Sequence, residues 1–70
     1  MSYEEFKNKV NDAIKDKPKH YRLGQFIFNY IDDVYGVARE VQFIDGIDCF
    51  HNNENIEEFL LCAYKRINFN

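Results

Sequence analysis

The stretch YRLGQFIFNYIDDVY, residues 21–35, constrains the fold more than any other part of the chain. Leu23, Phe26, Ile27, Tyr30, Ile31 and Val34 recur at spacings of three and four, the signature of one apolar stripe on an α-helix. Tyr21, Gly24, Phe28 and Tyr35 make a second stripe on another side. A helix apolar on two sides needs more than one neighbour to cover it, so this helix belongs at the centre of the fold. Gly24 would let another backbone come close, at a cost of about 1 kcal/mol in helix propensity. Gly36 is placed to end the helix.

Three further segments supply the neighbours. Ser2 and Glu5 form a capping box, followed by Tyr3, Phe6, Val10, Ala13 and Ile14 at helical spacing, and Pro18 stops that first helix. Val37, Ala38, Val41 and Ile44 are spaced for a short helix that Asp45-Gly46 would end. After the Asn52-Asn53 pair, a natural N-cap, Ile56, Phe59, Leu60, Ala63, Tyr64 and Ile67 give the core face of a last helix. Residues 41–50 also admit a β-hairpin around Asp45-Gly46. An isolated two-stranded hairpin is marginal in water, and no third strand is at hand. Helix exit followed by a loop is the favoured reading, with Phe50 plugging the core.

The expectation is therefore a single all-α domain over residues 1–70, with three main helices plus one short helix around the central helix at about 21–35. A domain this small buries only about 60% of its unfolded surface. Five Tyr and seven Phe compensate, because each large apolar side chain contributes about 1.5–3 kcal/mol when fully buried. There is little room for a deep enzyme pocket.

Charge is split along the chain. Residues 1–22 carry six basic and four acidic side chains, net +2, and residues 23–70 carry three basic and eight acidic ones, net −5, which together give −3. Nucleic-acid binding rests on phosphate neutralisation, so this balance disfavours it as the default partner. No apolar run is long enough for a membrane span or a signal peptide, and Cys49 and Cys62 form no disulfide framework. The chain reads as cytoplasmic, with both thiols reduced.

Two clusters are candidates for function. The first is the loop set Asp45, Asp48, Cys49, His51, Asn52, Asn53 and Glu54. Its spacing fits neither a calcium loop nor a zinc site, since His20 and Cys62 are the only other His and Cys. Cys49 and His51 are two residues apart, a weak geometry for nucleophilic catalysis. The expectation is no catalytic residue, no metal and no cofactor. The second cluster is a polar line on the central helix: Arg22, Gln25 and Asn29. Such groups need partners when partly buried, and an Arg22 pair with Asp48 or Asp45, with Gln25 and Asn29 bonding the loop backbone, would lock loop to helix. The alternative is a recognition surface. Tyr21, Arg22, Gln25, Asn29, Asp48 and His51 are accordingly the candidate interaction or lock residues.

At RLGQFIFNYI the chain resembles a family of small uncharacterised helical proteins from bacteria and phages. These carry Arg-x-Gly-Gln followed by an aromatic-Asn pair, an Asp-x-Phe-aromatic loop and a helix of the type Ile-x-x-Phe-Leu. The matching positions here are Arg22, Gly24, Gln25, Phe28 and Asn29, then Asp48, Phe50 and His51, then Ile56, Phe59 and Leu60. Cys49 stands where that family has proline, and His51 where it has tyrosine. The resemblance implies a helical protein in which central helix and loop form one unit, and it brings no catalytic residue.

Small size and aromatic excess point to a protein-protein interaction or regulatory module without catalytic activity. Its partner would be another protein or a second copy in a homodimer. A nucleic-acid-binding domain using the basic 15–22 segment is the alternative, followed by a metal or thiol site in the 45–54 loop.

Overall fold

A computed structural model describes residues 1–69. The element order is α1 (Tyr3–Ile14), α2 (Leu23–Tyr35), α3 (Ala38–Phe43), a 3₁₀ turn (Asn53–Asn55) and α4 (Ile56–Phe69). Among the described residues there is no strand, so residues 41–50 are helix, turn and loop and not a hairpin. The fold is the all-α bundle expected, with α2 against α1, α3, α4 and the 3₁₀ turn.

Local chemistry sets the helix ends. Ser2 Oγ accepts from Glu5 N at 3.1 Å, while the Glu5 carboxylate accepts from Ser2 N, so the capping box is complete. Gly36 ends α2 with φ +71°, its N–H donating to the Ile31 and Asp32 carbonyls at 3.1 Å. A side chain at that backbone angle would be strained. Past α3, the N–H groups of Ile44 and Asp45 both donate to Glu40 O, and Ile47 N donates to Val41 O at 3.2 Å. These bonds fold the chain back under α3, and no strand partner is needed.

The core draws on every helix. Phe6 and Val10 come from α1, Ile27, Phe28 and Ile31 from α2, Ala38 and Val41 from α3, and Phe59, Leu60 and Ala63 from α4. Aromatic contacts tie them together: Phe28 lies 5.8 Å from Phe59, and Phe6 lies 5.7 Å from both Tyr35 and Tyr64. Such tilted and edge-on pairs add about 0.5–1.5 kcal/mol each beyond area burial. The loop adds Cys49, fully buried, while Phe50 is only half-buried. The residue that plugs the core is therefore Cys49 and not Phe50.

One expectation about α2 is corrected. Its buried arc is Gly24, Ile27, Phe28 and Ile31, which straddles the two stripes read from the sequence. Val34 falls outside that arc and is 55% exposed. Phe59→Ala is expected to lower the unfolding free energy by about 3–5 kcal/mol, because it opens a large cavity. Val34→Ala should change it by no more than about 0.5 kcal/mol. Urea unfolding followed by circular dichroism measures both.

Candidate functional site

The loop between α3 and the 3₁₀ turn is the most heavily bonded irregular segment, and it sits on the start of α2. Helix α2 begins without a cap of its own. Arg22, its extended flanking residue, makes no side-chain cap bond, and the first N–H groups of a helix have no partner within it. The missing acceptor arrives from far along the chain: Asn53 Oδ1 accepts from Gly24 N at 2.9 Å. The neighbouring Asn52 Oδ1 accepts from Glu54 N at 3.0 Å and caps the 3₁₀ turn. Two adjacent asparagines thus serve two different helices.

The approach behind that bond is very close. A Cβ built on Gly24 would lie 2.0 Å from Cys49 O, and backbone cannot swing aside as the end of a side chain can. Cys49 Sγ donates to Gly24 O at 3.3 Å. Burial pushes the Cys49 thiol up to about 12, so it is neutral at physiological pH. A buried neutral thiol is a packing group, since nucleophilic attack needs the thiolate.

Asp48 organises the loop. Its Oδ1 accepts from Phe50 N at 2.9 Å, from His51 N at 3.4 Å and from Gln42 Nε2 at 3.1 Å, while Oδ2 lies 3.0 Å from His51 Nδ1. Burial pulls the Asp48 carboxyl up, but the hydrogen bonds from His51, Gln42 and the backbone together hold it below its ordinary value. The Asp48 carbonyl accepts from Asn55 Nδ2 at 2.9 Å.

The expected lock residues divide as follows. Arg22 does reach the loop, but Nη2 donates to Phe50 O at 3.1 Å and the guanidinium stands 5.8 Å from the Phe50 ring centroid. It does not pair with Asp48 or Asp45. Among the described residues, neither Gln25 nor Asn29 hydrogen-bonds the loop. The loop is bonded to α2 by Asn53 instead, while Gln42 and Asn55 bond Asp48 from α3 and the 3₁₀ turn. Asp48 and His51 are together, whereas Tyr21 and Asn29 lie on a separate groove with Phe26 and Tyr30.

Arg66 is the basic residue in the last turn of α4. In the fold it holds Asp45 bidentately, at 2.9 Å and 2.8 Å, and Glu40 at 3.2 Å. The Asp45 carboxyl is held below its usual range by that guanidinium. A residue 21 positions away leaves no spacing signal in the sequence.

Among the described residues, no group of three or more His, Cys, Asp and Glu side chains is placed to hold a metal ion. In the basic segment, Lys15 pairs with Asp12 at 3.2 Å, and Lys17 Nζ donates to the carbonyls of Pro18 and Tyr21 at 3.1 Å and 2.7 Å. Among the described residues, no helix is long and apolar enough to cross a membrane. Compared with known proteins, the chain matches no family model, no curated protein and no solved structure.

Gly24→Ala is expected to destabilise the protein by about 2 kcal/mol or more, since steric overlap outweighs the gain in helix propensity. That corresponds to a fall in Tm of about 10 °C for a domain of this size, readable by thermal circular dichroism. In native buffer, Cys62 should react with an aromatic disulfide reagent roughly a hundredfold faster than Cys49, whose reaction waits for local opening. Mass spectrometry of the labelled peptides gives the two rates.

Proposed function

We propose that the protein is a non-catalytic interaction module that meets a protein partner through the end of α3 and the cleft beside it. One observation carries this reading: Phe43 and Ile44, consecutive at the end of α3, are 76% and 72% exposed. Val41, two residues earlier, is fully buried, so the helix has spent its core face and still presents two large apolar side chains to water. Phe43 also forms one wall of an open cleft of about 390 Å³, with Phe28 and Phe50 in its lining and Arg39, Gln42 and His51 around them. Aromatic centres with polar rims are the common anatomy of protein interfaces. Aromatic and arginine side chains carry much of the binding energy there.

Phe69, also largely exposed, lines a shallow pocket with Asp45, the residue after Ile44. A partner covering Phe43 and Ile44 would gain about 1.5–3 kcal/mol from each. The resemblance to small helical proteins of bacteria and phages fits a cytoplasmic regulator or accessory factor.

The test is the variant Phe43→Ser/Ile44→Ser, whose melting should match wild type because both side chains are exposed. Affinity capture from source-cell lysate should yield a protein with wild type that the folded variant loses at least tenfold. Equal capture by both proteins would remove the function from this face. Light scattering on the purified protein separates the remaining case: a dimer abolished by the substitutions makes a second copy the partner.

A further inference from the structure

A second groove lies between the segment after α1 and the flank of α2, away from the α3 cleft. It measures about 510 Å³, and its lining includes Tyr21, Phe26 and Tyr30, with the carboxylates of Asp16 and Asp33 and the amide of Asn29. Phe26 and Tyr30 are half-buried, because the core takes Ile27 and Ile31 from the same helix and leaves these rings at its edge. Val34, 55% exposed, extends the apolar wall by one turn.

We propose that this groove binds an arginine side chain presented by a basic peptide segment of a partner. The charge of the lining decides the sign of the ligand: two carboxylates and no cation. The cations of the neighbouring segment are turned to other uses or lie outside the lining. Lys17 Nζ is bound to the carbonyls of Pro18 and Tyr21, and Lys15 is paired with Asp12. An anionic ligand would meet both carboxylates directly, with the nearest ammonium, that of Lys17, held by the Pro18 and Tyr21 carbonyls and not part of the lining.

The aromatic lining decides the kind of cation. Guanidinium is planar and weakly hydrated, stacks on aromatic rings and meets carboxylates two hydrogen bonds at a time. A cation within about 6 Å of a ring centroid is attracted to the face of the ring, more strongly as water is removed. Lysine ammonium, compact and strongly hydrated, gains less from the rings. The groove is open and larger in volume than one side chain needs, which suits a residue carried on a peptide backbone. Asn29 and Tyr21, drawn from the polar line and the aromatic stripe of the sequence, acquire a use here that the loop does not give them.

The experiment is a two-dimensional NMR titration of ¹⁵N-labelled protein with the blocked peptide acetyl-Gly-Arg-Gly-amide, with citrulline, lysine and glutamate versions and spermidine as separate arms. The arginine peptide should shift amides at residues 16–34 that line the groove, at least tenfold more strongly in affinity than the citrulline peptide. The Asp16→Asn/Asp33→Asn protein should lose at least tenfold in affinity. Both positions are exposed, so its spectrum should otherwise match wild type. Added salt should weaken the binding, since the carboxylates are open to solvent. Equal shifts with citrulline or glutamate, shifts elsewhere, or an unaffected double variant would overturn the proposal. So would spermidine binding as tightly as the arginine peptide, which would make the ligand a free polyamine. Groove shifts on concentrating the protein alone would place a second copy there and likewise overturn it.

Discussion

The contact between Gly24 and Cys49 is the constraint on which the rest of the molecule depends. It works because three features coincide at one point of the chain. Gly24 has no Cβ, so the loop backbone can lie against the helix where any other residue would collide with Cys49 O. Cys49 is small and apolar enough to enter the core completely, and its S–H finds the Gly24 carbonyl at 3.3 Å. Asn53 then supplies the acceptor that Gly24 N lacks. Once the loop is seated, the start of α4 is fixed relative to α2, and Phe59 is delivered against Phe28. A wider loop would leave the first turn of α2 uncapped and the core short of Cys49. An unsatisfied buried N–H alone costs about 1–3 kcal/mol.

Charged contacts close the periphery and add less. Arg66 joins α4 to Asp45 and Glu40, and Lys7 joins α1 to Glu57 at 2.8 Å. Lys7 is raised above its ordinary pKa mainly by the hydrogen bond to Glu57. Exposed pairs of this kind contribute about 0–1 kcal/mol each. Their value lies in register, since a bidentate arginine accepts few orientations of its carboxylate. Stability itself comes from the core, where two aromatic groups, Phe6 with Tyr35 and Tyr64 and Phe28 with Phe59, join the long helices among aliphatic side chains.

The two grooved faces arise from the same economy of size. A chain of 70 residues with twelve aromatic side chains cannot bury them all. Phe6 and Phe59 take the interior, Phe28 and Phe50 form the side of a cleft, and Phe43 and Phe69 stay in water. Tyr21, Phe26 and Tyr30 are left along the outer edge of α2 beside Asp16 and Asp33. The two faces differ in charge: Arg39 belongs to the first lining, and Asp16 and Asp33 to the second. Each therefore favours a different chemistry in whatever binds it.

The sequence by itself determined the elements and most of their boundaries. Ser2 with Glu5, Gly36 and Asn52 act on atoms within five residues of themselves, so their effect is written locally. Helical spacing likewise showed the buried faces of α1 and α4, where Phe6, Val10, Phe59, Leu60 and Ala63 are all interior. Periodicity gives the angular position of an apolar stripe, but it does not say which neighbour will cover it. On α2, whose apolar surface runs most of the way round, only the placement of α1, α3 and α4 decided that Gly24, Ile27, Phe28 and Ile31 go inward while Val34 stays out. The polar partners were decided in the same way. Arg22 found the Phe50 carbonyl and not Asp48, and Arg66 took Asp45, because hydrogen bonds reach only about 3 Å and tertiary packing alone sets which groups come that near.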